Sequence, residues 1–345
     1  MSFKSKTPFF KSKPFITIVS SVAIIAVVAA IFFFTSGKDE SKETTTSTTT
    51  QTTVKPKKNA IAPLTGLVDE EGLSATRPAL AVKIGNNPEA RPQAGLNEAD
   101  IIYEEIVEGG ITRYMAIFNS QSPTRVGPVR SVRGMDPNIA LNWGGVFAYS
   151  GGAAKNEQKI KSTKGILALN ETAAGNGMKR DSARSAPNNL YAIPAELFTR
   201  GGVPVPPVKQ FKYSEKESVL ADLASSFVVG FKSGFACTWK YDAAKKTYAR
   251  SYGTKPVVDQ AGEQVAVENV VVQFIEYPAE SEGITIGTGD VWVFRNGKVI
   301  KGTWERKDNS TPATFKDVEG NVITLLPGQT WFELASKTTP VTITP

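Results

Sequence analysis

The apolar positions of this chain fall into distinct regimes. Phe15–Phe34, FITIVSSVAIIAVVAAIFFF, is a continuous run of 20 residues without a charge. That length matches a helix crossing the hydrocarbon core of a bilayer. Residues 36–60, SGKDESKETTTSTTTQTTVKPKKNA, have almost no apolar positions. Such a segment cannot bury enough surface to order itself and reads as a linker. From Pro63 onward, short runs rich in β-branched and aromatic residues alternate with Gly, Pro and Asn breakers. Strands are expected over Ala79–Ile84, Ile101–Val107, Ile111–Phe118 and Val146–Ser150. Helices are expected from Asp136 to about Trp143, over Ala153–Lys161 and over Pro194–Arg200. Asp136-Pro137 opens the first of these with a capping residue and a proline. VPVPPV at 203–208 is a stiff, extended segment and a candidate boundary.

After a helix expected over Glu215–Ser225, the pattern turns almost purely to strands. These are Phe227–Lys232, Cys237–Tyr241, Thr247–Tyr252, Asn269–Glu276, Gly289–Phe294, Val299–Arg306, Phe315–Asp317, Val322–Leu325 and Thr330–Leu334. Asn296-Gly297 is a strong hairpin turn. The expected fold is therefore α+β, in five parts: a cytoplasmic tail at 1–13, a transmembrane signal-anchor at 14–35, a disordered linker at 36–60, a mixed α/β domain at 61–208 and a mostly β domain at 209–345.

Charge places these parts. Lys4, Lys6, Lys11 and Lys13 flank the apolar run on its N-terminal side with no acids among them. The positive-inside rule then puts that end in the cytoplasm and the domains outside the membrane. The run is longer than the apolar core of a cleaved signal peptide, which favours an uncleaved anchor. Of the formal charge of +7, the tail contributes +4 and the linker +2, leaving +1 for residues 61–345. The basic balance thus belongs to the tail and linker, and does not argue for nucleic acid.

Composition removes several chemistries. Cys237 is the only cysteine, so there is no intrachain disulfide and no cysteine-based metal cluster. It reads as a small buried residue. There is no histidine, which excludes Ser-His-Asp and Cys-His catalysis and histidine metal sites within the chain. No Ser-x-x-Lys occurs, which disfavours acyl-enzymes of the penicillin-binding type. No metal or cofactor is expected. Trp239, Trp292, Trp304 and Trp331 read as packing residues before they read as a glycan surface.

The candidate site lies in IIYEEIVEGGITRYMAIFNSQSPTRVGPVRSVR, residues 101–133. A two-residue Gly109-Gly110 turn would set Glu108 opposite Ile111, Ile106 opposite Arg113 and Glu104 opposite Met115. Glu104, Arg113 and Glu108 would then form a solvated ladder of ion pairs. Glu105 would be a carboxylate on a largely apolar face, and burial would oblige it to pair or protonate. Arg125, Arg130 and Arg133 follow in a loop. They are expected either to pair internally with Glu98, Asp100, Glu104 or Glu105, or to grip an anionic ligand. The polar segment 170–190 could fold over such a site or stay an exposed loop.

Longer motifs carry a resemblance. PLTG (63–66), RPALAVKIGN (77–86), LNEADIIYEEIVEGGITRYMAIF (96–118), GPVRSVR (127–133), APNNLYA (186–192), VVVQF (270–274), VWVFRNGKVIKGTW (291–304) and LLPGQTWFEL (325–334) resemble the YerB-like lipoprotein family across essentially all of 61–345. The resemblance implies a membrane-attached, extracytoplasmic bacterial protein and transfers no catalytic residue. It also marks two departures: a helical anchor in place of a lipidated cysteine, and Asn188 where relatives often carry histidine. The reading is a cell-envelope binding module for an anionic wall component or a partner protein. The alternative is an envelope-polymer hydrolase or transferase working with carboxylates alone. A third reading is a structural subunit of a membrane complex. An open cleft with two unpaired carboxylates would favour the enzyme; a closed Glu–Arg network would favour the binding module.

Overall fold

The computed structural model describes residues 59–201, 205–232, 234–309 and 311–345. The expected tail, anchor and nearly all of the linker lie outside the described residues. Within the described residues no helix is long and apolar enough to cross a membrane.

Strands dominate and helices are few and short, so the fold is more β-rich than a balanced α+β arrangement. In the first half, β1 (Leu80–Gly85), β2 (Ile101–Ile106) and β3 (Thr112–Phe118) are followed by α1 (Asp136–Ala140), β4 (Gly145–Ala148), α2 (Ala154–Ser162) and β5 (Ile166–Leu169). The second half brings β6 (Ser226–Val229), β7 (Cys237–Asp242) and β8 (Thr247–Tyr252). It continues with β9 (Asn269–Ile275), β10 (Gly287–Arg295), β11 (Lys298–Arg306), β12 (Thr314–Asp317), β13 (Thr330–Ser336) and β14 (Val341–Thr344).

An 11-stranded sheet runs β11-β10-β9-β13-β2-β3-β1-β4-β5, with β12 and the two-residue strand Asp222–Leu223 paired to β11. Strand β13 lies between β9 and β2 and runs parallel to both. It therefore joins strands from the two halves of the chain. A 6-stranded antiparallel sheet is built around β8-β7-β6-β14.

Strand alternation divides the large sheet into two faces. One face carries Val82, Ile102, Ala116, Val272 and Trp331 and packs against Phe227, Trp239 and Tyr248 of the smaller sheet. The other carries Ala81, Tyr103, Met115, Val271 and Phe332 and packs under Ile139 of α1, Trp143 and Ile160 of α2. Strands β2, β3 and β1, buried on both faces, read as near-continuous apolar runs for that reason. Of the four tryptophans of the second half, Trp239, Trp304 and Trp331 are core residues, while Trp292 is half-buried.

Several local expectations change. The β2–β3 hairpin closes through three residues, Glu108–Gly110, not two. Val107 donates its N–H to the carbonyl of Ile111 at 2.8 Å. Gly109 and Gly110 both have positive φ, 74° and 68°. The longer loop shifts the register by one, so Glu105 faces Arg113 and Glu104 faces Tyr114. A one-residue shift reverses which face each β3 side chain occupies. Helix α1 ends at Ala140, and Asp136 lies inside its first turn with Met135 as the preceding cap. Glu215–Ser225 is not helical; it holds turns and the strand Asp222–Leu223. Val322 and Leu325 make isolated bridges and no strand.

Candidate functional site

Glu104 and Glu105 are neighbours on β2, so their side chains leave opposite faces of the sheet. Both are fully buried. Each meets a cation supplied by a different layer of the molecule.

On the face toward the smaller sheet, the parallel pairing of β13 with β2 sets Glu333 directly beside Glu104. Arg250 reaches across from β8. Its Nη2 donates to Glu104 Oε2 at 2.6 Å and its Nη1 to Glu333 Oε1 at 2.8 Å. Trp239 Nε1 donates to Glu333 Oε1 at 2.8 Å, and the Cys237 thiol to the same atom at 3.3 Å. Thr112 Oγ1 donates to Glu104 Oε1 at 2.6 Å, and Asn86 Nδ2 in turn donates to Thr112 Oγ1 at 2.7 Å. The guanidinium lies over the rings of Trp331 and Trp239, 4.6 and 5.1 Å from their centroids. Two carboxylates share one cation here, so one proton balances the cluster. Burial, with Glu333 adding to it against the opposing Arg250, pushes Glu104 up to about 8. Burial also raises the Cys237 thiol well above its usual range. Donor atoms of Glu104, Cys237 and Glu333 lie within 4.8 Å of one another, close enough to hold a metal ion. The guanidinium of Arg250 already bonds both carboxylates, so the donor set fits a metal poorly.

On the helix face, Lys83 of β1 pairs with Glu105 and, at 2.7 Å, with Asp136 of α1; all three are fully buried. The second oxygen of Asp136 accepts the Arg133 N–H at 2.6 Å, fixing the loop before α1. Burial pulls Lys83 down to about 8 despite the opposing Asp136. The partner of Glu105 is thus a lysine from β1, on the far side of β3, and none of the expected arginines.

The expected arginines divide. Arg125 pairs with Asp181 at 2.9 Å, donates to Gln260 Oε1 at 2.7 Å and lies over the Tyr191 ring. Arg113, Arg130 and Arg133 come together. Arg113 donates to the Ser131 carbonyl at 2.9 Å and is buried, not exposed in a ladder. Arg130 donates to Asn188 Oδ1 at 2.7 Å, and Arg133 to Glu108 Oε2 at 2.7 Å. Burial, with the charges of Arg133 and Arg130 adding to it, brings Arg113 down to about 9. Arg130 is lowered by burial and then by Arg133. Among the described residues, Glu108 is the one carboxylate that forms an ion pair with any of the three. The solvated ladder of Glu104, Arg113 and Glu108 does not form: the smaller sheet covers the face that carries Glu104, and the register shift sends Arg113 to the other face.

The polar segment does fold against this region. Its strand pair Met178–Arg180 and Leu190–Ala192 brings Asp181 to Arg125 and Asn188 to Arg130. Arg184 donates to the carbonyls of Glu89 at 2.7 Å and Pro92 at 3.2 Å.

Sequence reasoning did not place Lys83, Arg250 or Glu333 in the site, and read Asp136 only as a helix cap. Three carry a readable signal: a lone charge inside an apolar strand, as in LAVKIG, TYARSY and TWFELAS. A charge in that setting demands a buried partner.

The fold and motifs point to one family. The profile for the N-terminal domain of a protein of unknown function, DUF3048, matches residues 64–201, and the profile for its C-terminal domain matches 227–332. The chain belongs to this YerB-like family. YerB of Bacillus subtilis (strain 168) is 28% identical over 290 residues, which span 80% of this chain and 86% of that protein. The crystal structure of YerB from Bacillus subtilis matches with a TM-score of 0.72 and 24% identity, covering 82% of this chain and 99% of the other. That likeness is one of fold.

Proposed function

We propose that this YerB-like protein is a non-enzymatic binding module of the cell envelope, held outside the membrane by its N-terminal apolar run. Its ligand is an anionic wall polymer, and Arg130 and Arg133 grip it beside Arg113. The observation that supports this reading is the gathering of three arginines with a single ion-paired carboxylate among them. Such a cluster repels itself and gains from an added anion, and guanidinium groups bind phosphate and carboxylate bidentately. Burial of Glu104 and Glu105 argues against the hydrolase alternative. Each is closed off from water and held against a buried cation, so neither can reach a substrate to protonate a leaving group or activate a water.

The test is binding of the full chain in detergent micelles to a glycerol-phosphate polymer, followed over a salt series. The wild type binds, with affinity falling as salt rises, since screening weakens exposed charge contacts. Arg130→Ala/Arg133→Ala retains its melting temperature within a few degrees and loses at least about tenfold in affinity, one charge-assisted contact or more. A double variant that folds and binds like wild type would sink the proposal.

A further inference from the structure

A second pocket, independent of the arginine cluster, lies beside the 86–93 loop. It encloses about 300 Å³, and Arg91, Gln93, Tyr252, Lys255, Pro92 and Val257 line it. That volume is at the lower end for small-molecule sites.

Two of its lining residues hold polar groups that the protein leaves unused. Gln93 is 1% exposed; its amide nitrogen donates to the Gly85 carbonyl at 3.1 Å and to Asn86 Oδ1 at 3.2 Å. Its Oε1 is buried without a hydrogen-bond partner. Arg91 donates from Nε to the Asn86 carbonyl and to Asn86 Oδ1, both at 3.1 Å, while its Nη2 is buried without a partner. The Arg91 plane stacks on Tyr252, 3.9 Å from the ring centroid, and faces Phe235 at 5.2 Å. Tyr252 is itself held by its hydroxyl, which donates to Asn86 Oδ1 at 3.0 Å. Among the described residues no carboxylate forms an ion pair with Arg91 or with Lys255, which is exposed at the rim. A buried polar atom without a partner costs free energy that a ligand can return.

The wall chemistry specifies the occupant. Arg91 and Lys255 call for an anion. Gln93 Oε1 calls for an N–H donor close to that anion. Pro92 and Val257 call for a small apolar body. We infer that this pocket binds the C-terminal end of a short peptide, its carboxylate held by Arg91 and Lys255, its last amide N–H by Gln93 and its terminal side chain against Pro92 and Val257. The juxtaposition of a carboxylate, an amide and a small apolar group is what a peptide terminus presents and what an inorganic phosphate or a neutral sugar lacks.

Calorimetric titration of the full chain in micelles with N-acetyl-alanyl-alanine tests this. The C-terminal amide of that dipeptide removes the anion, and the N-acetyl-alanyl-lactate analogue removes the N–H. The dipeptide binds, and each analogue binds at least about tenfold more weakly, the loss expected for one hydrogen bond to a charged or buried group. Lys255→Ala, which trims an exposed side chain and keeps the backbone pairing of that residue with Tyr252, weakens the dipeptide and leaves the amide unaffected. Arg91→Ala abolishes binding, but the Lys255 variant and the two analogues decide the matter even if that variant does not fold. Arg130→Ala/Arg133→Ala binds the dipeptide as wild type does, which separates this pocket from the arginine cluster. Absence of dipeptide binding, equal affinity for the C-terminal amide, or an unchanged Lys255→Ala affinity would each overturn the inference.

Discussion

Arg250 ties the two sheets together through buried charge. It bonds two buried carboxylates at once, so its removal leaves both without their cation. Arg250→Met is expected to destabilise the protein by about 3–5 kcal/mol, the cost of breaking a buried pair from one side. Urea unfolding checks this; a loss under about 1 kcal/mol would mean that water enters the cluster. Cys237 sits in the same cluster, fully buried and with its thiol raised. A thiol reagent should therefore label it only as the protein unfolds, because the thiolate is the reactive form. Rapid labelling under native conditions would contradict the burial described. At Glu105 the sequence reading was right about the need for a partner and wrong about its identity. The need follows from the apolar neighbours Tyr103 and Val107, which are local. The identity depends on the strand order, since Lys83 lies on β1, beyond β3, and comes from 22 positions earlier in the chain.

At the level of elements, the three-residue loop of the β2–β3 hairpin decides the chemistry of both faces. Gly109 has a φ of 74°, and a Cβ there would meet nothing within 4 Å. Gly109→Ala should thus cost only the backbone strain of a left-handed residue, about 1–2 kcal/mol. Deleting Ile111 is a different matter. With the three-residue loop kept, Val107 would face Thr112, which sets Glu104 opposite Met115 and turns Arg113 toward the buried face of the smaller sheet. The deletion is expected to yield a protein that no longer melts cooperatively, while Gly109→Ala melts as one transition at a slightly lower temperature. Similar melting curves for the two would refute the register argument. The Gly-Gly pair announced a hairpin correctly, but both loop lengths accept glycines at positive φ. Their difference is decided by the fit of the whole β3 strand into the sheet.

Across the molecule, the two buried clusters give stability a distinctive pH dependence. Glu104 has a folded-state value of about 8 against 4.5 for the unconstrained group. Between those values the folded state binds more protons than the unfolded state, so stability falls as pH rises from about 4.5 to 8. Lys83 runs the other way: lowered from 10.5 to about 8, it makes stability rise with pH between those two values. A minimum near pH 8 is expected, with a slope below it of at most about 1.4 kcal/mol per pH unit from Glu104. Melting temperatures from pH 5 to 10 test it. Glu104→Gln, which keeps an acceptor for Arg250 and Thr112, should flatten the lower limb. An unchanged limb in that variant would assign the slope to another group. In the same large sheet, β13 runs parallel to β2 and β9 and places Glu333 beside Glu104. The carboxylate pair therefore depends on contacts between residues more than 200 positions apart, and either half alone would leave it incomplete.

The sequence by itself determined what local pattern can encode. Strand runs, the Asn296-Gly297 turn, the presence of a hairpin at Gly109-Gly110, the burial of Cys237, the opposed directions of Glu104 and Glu105 and the family all follow from residue type and spacing. Only the tertiary structure decided partners. Lys83, Asp136, Arg250 and Glu333 were each visible as residues, but nothing local states that a strand from residues 330–336 lies beside one from 101–106. Long-range pairing is set by the packing of whole faces, and a charge in an apolar run declares only that it must be neutralised, not by what. The same holds for Arg113, Arg130 and Arg133. Their presence in or near one segment was plain, whereas their gathering around one carboxylate came from the register of a hairpin and the loop that packs beside it.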